Sequence, residues 1–137
     1  MALPISLYWF RQDLRLADNP ALTAAAQAGT VIPVFILDDD HAGEHKMGGA
    51  SRWWLQHSLI ALNASLDGKL LVFKGDPATH LAALAAASGA TSVHWNRHCG
   101  NLPHWQAFRL LIFSQRVTCR FFYWKFCLFL KNCCPLP

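Results

Sequence analysis

A repeated change of period constrains this chain more than any other feature. "ISLYWF" (5–10) and "TVIPVFIL" (30–37) are short β-branched and aromatic runs without strict polar alternation, the pattern of strands buried on both faces of a parallel sheet. Between them Asp18 or Asn19 offers an N-cap, Pro20 a first-turn residue and Gly29 a stop, which together predict a helix. After an acidic loop, "DDDHAGEHKMGGA", Ser51 is expected to cap a second helix whose Leu55, Leu59, Leu62 and Leu66 share one face. "KLLVF" (69–73) predicts a third strand, Asp76 and Pro77 a cap and first turn, Leu81, Leu84, Ala85 and Ser88 a helix face ended by Gly89, and "TSVHWN" (91–96) a fourth strand. Strands alternating with helices of about a dozen residues pair in parallel through right-handed crossovers. The predicted fold class is α/β, a doubly wound (Rossmann-like) parallel sheet, incomplete after four strands, with an atypical C-terminal tail.

Composition divides the chain at the same place. All eight Asp and Glu lie between Asp13 and Asp76, whereas all five Cys and six of nine Phe follow residue 97. Residues 1–97 carry seven Lys and Arg against eight acids, net −1, and residues 98–137 carry five against none, net +5, so the overall +4 comes from the tail. A basic total ordinarily suggests a nucleic acid or an acidic membrane as partner; here the part that reads as a folded domain is close to neutral, and the total is discounted. Arg11, Asp13 and Arg15 interrupt the first apolar run too early for a secretory signal, which reads as a cytoplasmic chain. Arg109, Arg116, Arg120 and Lys125 break the apolar tail below what a membrane span of about 20 residues needs. No membrane partner is expected.

In doubly wound sheets ligands sit beyond the carboxyl ends of the strands, where the strand order reverses and helix N-termini offer free N–H groups. The polar knot "RQDLR" (11–15) leaves the first strand there, with Asp38 and Asp39, Arg52, Gly75 and Asp76, and Asn96 and Arg97 expected nearby. Arg11, Asp13 and Arg15 have an equally good reading as ion pairs that tie the first loop down, and Asp18, Asn19, Ser51 and Asp76 read better as caps than as ligand contacts. Arg52 is different, because a cation in the first turn of a helix opposes the macrodipole and calls for a nearby acid or anionic ligand. Neither a Gly-x-Gly-x-x-Gly fingerprint nor a Walker loop occurs, which speaks against the usual dinucleotide and ATP sites. Metal is not expected either: neighbouring loop acids such as Asp38 to Asp40 are usually solvated, His41 and His45 add little, and the cysteines fit no zinc spacing.

Five blocks in order, "LYWFRQDLRLADNPAL", "PVFILDD", "GGASRWWLQHSLIALNASL", "LLVFKGDP" and "VHWNR", resemble the N-terminal α/β domain of the DNA photolyase and cryptochrome family. "FRQDLRLADNPAL" is close to that family's Phe-Arg-x-Asp-Leu-Arg-x-x-Asp-Asn-x-x-Leu signature, and "RWWLQHSL" resembles its second-helix signature. The resemblance implies that residues 1–97 form an antenna domain, which in the family holds a folate, deazaflavin or flavin pigment and passes excitation to a catalytic FAD. It places Arg11, Phe35, Leu37, Asp38 and Arg52 toward that pigment. In the family the FAD lies in a separate helical domain that also binds damaged DNA and splits pyrimidine dimers. No catalytic residue, no catalytic FAD and no direct DNA contact are therefore expected of this chain, and light-driven repair is not expected of it alone.

After "VHWNR" the family would continue with an acid-containing helix and a fifth strand. Residues 98–137 hold no acid and read as a divergent tail, consistent with a slipped reading frame and a truncated photolyase; the competing reading is a divergent helix over 104–131. "FFYWKFCLFL" (121–130) is aromatic with a single charge, a window prone to self-association. Two further readings stand beside the antenna domain: a nucleotide-binding module of another doubly wound family, and a non-functional truncated product.

Overall fold

A computed structural model of the chain describes residues 3–39, 46–96 and, as backbone, 118–122. The elements run β1 (Ile5–Phe10), α1 (Pro20–Ala28), β2 (Thr30–Leu37), α2 (Gly49–Ser65), β3 (Leu71–Lys74), α3 (Pro77–Ser88), β4 (Ser92–Asn96) and β5 (Thr118–Phe122). All five strands form one parallel sheet in the order β3-β2-β1-β4-β5. The first strand is therefore central, and the order reverses between β1 and β4. The α/β class and the parallel pairing are as the period changes predict.

Alternation along β1 and β2 sends side chains to two cores. Leu7, Trp9, Val34, Ile36, Val93 and Trp95 pack on one face with Leu81 and Ala85 of α3. Tyr8, Phe10 and Phe35 pack on the other with Ala21 and Ala25 of α1 and Leu62 of α2, flanked by Leu55, Leu59 and Leu66. The four leucines thus share the inward face of α2, as their spacing requires. Burying two faces explains why these strands show no polar alternation.

Asn19, not Asp18, caps α1, accepting from the Leu22 amide at 3.0 Å, while Asp18 takes a left-handed turn at φ 52°. Asp76 caps α3 by accepting from the Thr79 amide at 2.8 Å. Gly89 closes that helix in the left-handed conformation at φ 67°, which glycine adopts without steric cost. Gly29 ends α1 where a Cβ would run into the carbonyl oxygen of Pro4, the group that accepts from Thr30 to align β2 beside β1.

Three expectations are corrected. Ser51 does not cap α2: the helix starts at Gly49 behind Gly48, with no side-chain cap bond. The third strand starts at Leu71, because the Leu70 amide donates to the side chain of Asn63 rather than to the ladder. A fifth strand does exist, Thr118–Phe122, paired with β4 from Ser92↔Thr118 to Asn96↔Phe122. Its β-branched and aromatic residues suit a pleated edge, and its presence rules out one continuous helix across 104–131. The other residues of that expected helix, and most of the apolar window 121–130, lie outside the described residues.

Candidate functional site

The carboxyl edge of the sheet carries two polar clusters and one stacked cation. At the exit of β1, Asp13 takes a forked pair of hydrogen bonds from Arg15, at 2.8 Å from Nε and 3.0 Å from the second guanidinium nitrogen. Asn96, at the end of β4, donates to the same carboxylate at 3.0 Å and to Asn19 Oδ1 at 3.0 Å. Asn19 also donates to the Tyr8 hydroxyl at 2.8 Å and to the Arg15 carbonyl at 2.8 Å. The knot "RQDLR" is therefore sewn across the β1/β4 reversal, and the ion-pair reading of Asp13 and Arg15 holds.

Electrostatics follow from these contacts. Hydrogen bonds from Arg15 hold the Asp13 carboxyl below the usual carboxylate range, against a smaller opposing effect of burial. Burial pushes the Tyr8 phenol up to about 12. A charged form without adequate solvation is disfavoured, and Tyr8 stays a neutral hydrogen-bonding group.

Arg11 takes no part in this network. Its guanidinium lies 4.9 Å from the centre of the Trp9 ring, a cation–π contact on the α3 face. Burial lowers its proton affinity.

The second cluster centres on a residue expected at the rim but not among the five pigment-facing positions. Asp39, 7% exposed, sits just beyond β2 and pairs with Arg52 of α2 at 3.2 Å and with Lys74 at the end of β3 at 3.7 Å. Arg52 Nε also donates to the Met47 carbonyl at 2.9 Å. Asp39 is thus the acid that a cation in the first turn of α2 demanded. Arg52 and Lys74 share the Asp39 carboxylate, and Asp38 adds a second acid beside it. The period-two signal was available: residues 35, 37 and 39 point to one side of β2, so Asp39 rather than Asp38 continues the line of Phe35 and Leu37.

Of the five residues expected to face a pigment, Arg52 belongs to the Asp39 cluster, and Phe35 and Leu37 lie on the same strand face beneath it. Phe35 is 6% exposed and sits in the core, with Leu37 packed at its margin. Asp38 is half-buried beside Asp39. Arg11 stands apart over Trp9. Of the other rim residues, Asp76 is a cap, and Gly75 follows β3 directly, where the His80 ring stacks on Phe73 with centroids 5.1 Å apart. Asp40, His41, His45 and Arg97 lie outside the described residues. Among the described residues no cluster of three metal-ligating side chains occurs, and no helix there is long and apolar enough to cross a membrane.

A parallel sheet with its first strand central, helices on both faces and a charged, braced edge at the strand-order reversal defines a doubly wound α/β domain. The match to known families is more specific. The DNA photolyase family model covers residues 6–111, and the chain belongs to that family. It is 48% identical over 95 residues to the deoxyribodipyrimidine photo-lyase of Agrobacterium fabrum, covering 66% of this chain and 19% of that protein. It is 41% identical over 95 residues to cryptochrome-1 of Arabidopsis thaliana, covering 66% of this chain and 14% of that protein. Among solved structures, a class III photolyase from Agrobacterium tumefaciens superposes with a TM-score of 0.78 at 38% identity, over 89% of this chain and 26% of that one. The chain thus spans about a fifth or less of the length of these two curated relatives.

Proposed function

We propose that this chain is the light-harvesting, chromophore-binding unit of a deoxyribodipyrimidine photolyase or cryptochrome-like protein. Residues 1–97 carry that role, and 98–137 form a tail of different composition that adds β5. The pigment is a folate, a deazaflavin or a flavin, held at the carboxyl edge of the sheet.

The observation that carries this reading is the Asp39 cluster. A buried carboxylate holds Arg52 and Lys74 at the rim, where their side chains remain 44% and 66% exposed. Folates end in carboxylates and flavin nucleotides in phosphates, and anchored, solvent-exposed guanidinium and ammonium groups fit either anion. Half-buried Leu37 continues the strand face of Asp39 and Asp38 flanks it, whereas Phe35 is enclosed in the core beneath and Arg11 lies over Trp9 on the opposite, α3 face of the sheet. Splitting of pyrimidine dimers is assigned to the FAD-bearing, DNA-binding helical domain of longer family members, and this chain supplies excitation rather than catalysis.

The test is absorbance and fluorescence of the purified chain after incubation with each pigment class and gel filtration. A retained near-ultraviolet or blue chromophore is expected. Arg52→Ala should weaken retention at least about tenfold, the loss of one charge-assisted hydrogen bond. Persistent colourlessness with all three pigments overturns the reading, and tight ATP or AMP binding without pigment would reassign the chain as a nucleotide-binding module.

A further inference from the structure

The helix α2 has two apolar faces. Its inward face is the leucine row against the sheet. Its outward face carries Ala50, Trp53, Trp54, His57, Ile60, Ala61 and Ala64, every one exposed, with Trp53 at 55%, Trp54 at 66% and Ile60 at 57%. The indoles meet edge to face at 5.1 Å between ring centres, and Trp53 lies 4.2 Å from the His57 ring. An outward aromatic stripe of this size on a surface helix is uncommon without a partner.

The chemistry of the stripe narrows the partner. Across its 17 residues α2 has one charged side chain, Arg52, and Asp39 already engages it. Nucleic acid and anionic lipid surfaces need a basic rim that this helix lacks. A charged protein partner would find nothing to pair with. An identical uncharged surface meets no such penalty.

The stripe is also self-complementary in size. Measured from His57, its members stand at −7, −4, −3, +3, +4 and +7. An antiparallel contact with a twofold axis at His57 sets Ala50 against Ala64, Trp53 against Ala61 and Trp54 against Ile60 of a second copy. Each large ring of the Trp53 position thus meets a methyl-sized partner, as interdigitated packing requires. Because an aromatic side chain buries about 150–250 Å², the stripe offers roughly 500 Å² per copy. That makes roughly 1,000 Å² for a pair, the lower limit of specific interfaces.

We propose that α2 is a self-association surface through which two copies of this chain form a twofold dimer, with Trp53 of each seated on Ala61 of the other. The contact is independent of the pigment reading, since the stripe lies opposite the face that packs on the sheet.

Sedimentation velocity of the full chain over a wide concentration range tests it, with circular dichroism confirming that each variant folds. A concentration-dependent monomer–dimer equilibrium is expected. Trp53→Ala removes the knob and Ala61→Trp fills its slot, so each alone should weaken the dimer at least tenfold. The double variant Trp53→Ala/Ala61→Trp exchanges knob and slot and should restore it. Ile60→Lys, at a position 57% exposed, should abolish it. A chain that stays monomeric, or an oligomer indifferent to all four variants and so held by the apolar tail or the β3 edge, overturns the proposal. Loss in both single variants without rescue in the double one overturns the His57-centred pairing.

Discussion

The helices α1 and α3 differ from α2 in how they know where to begin. Each of the first two opens on an Asx residue followed by proline, Asn19-Pro20 and Asp76-Pro77, and each is closed by a glycine. Their limits are written in local chemistry. The longest helix among the described residues, α2, opens on Gly48 with no side-chain cap and is anchored instead by a tertiary ion pair, Arg52 with Asp39. Locally specified helices are free to sit deep in the fold, whereas one specified by its surroundings depends on every neighbour it has. A partner on its outward stripe would then be one more support.

The strongest way to sharpen this contrast is Asn19→Ala. Asn19 is 1% exposed and serves as cap, as partner of Tyr8 and as acceptor from Asn96. Truncation should cost about 2–4 kcal/mol in urea denaturation, because buried polar groups are left unsatisfied as well as a helix end. Asp76→Ala removes an exposed cap, which also accepts from the Thr79 hydroxyl, and should cost about 1 kcal/mol. Equal costs would break the distinction between a cap and a cap that is also a core residue.

Alkaline titration probes the same root of α1. The Tyr8 phenol is raised from 10.0 in the unfolded reference to about 12 in the fold. A raised folded value means the neutral form is favoured in the native state, so this contribution is fully present below pH 10 and is lost as pH climbs through 12. Phenolate absorbance should show a step displaced to about 12, coincident with loss of native ellipticity. A single step at the ordinary tyrosine value would place the Tyr8 hydroxyl in water.

The smallest expected effect concerns α2. Gly48 has extended backbone at φ −68° and ψ 166°, and a Cβ there meets no atom within 4 Å. Gly48→Ser should therefore supply the missing cap and raise stability by a few tenths of a kcal/mol, read as a small rise in the urea midpoint. No change would mean that the ion pair with Asp39 already does all that a cap can.

What the sequence made legible follows the same division. The two strands buried on both faces, Ile5–Phe10 and Thr30–Leu37, were readable to the residue from their unbroken apolar runs. Both punctuated helices were readable from their caps, although Asp18 and Asn19 competed for the first. The start of α2 was not readable, because Ser51 is a better cap by type than Gly48, and the Arg52 contacts with Asp39 and with the Met47 carbonyl that accompany the earlier start are not announced locally. The strand Thr118–Phe122 was hidden for a related reason: its β-branched and aromatic residues suit a strand, but a five-residue piece of a long apolar run becomes one only by pairing with β4. At the site, a cation in need of an acid was legible at Arg52, but the choice of Asp39 over Asp38 depended on carrying the strand's two-residue period past its visible end.

The central place of β1 has a consequence for how the chain acquires its shape in time. Its first six-residue strand is made early, yet one of its two sides is closed only by β4, whose Ser92 bonds to Ser6 across 86 positions of sequence. Until Asn96 has been synthesised, an apolar strand must wait with a row of open backbone donors and acceptors, beside a β2 that covers only the other side. Closing so long a loop is entropically slow. A nascent chain of this design has most to gain from a holding chaperone during the synthesis of its middle third, well before the fold is complete.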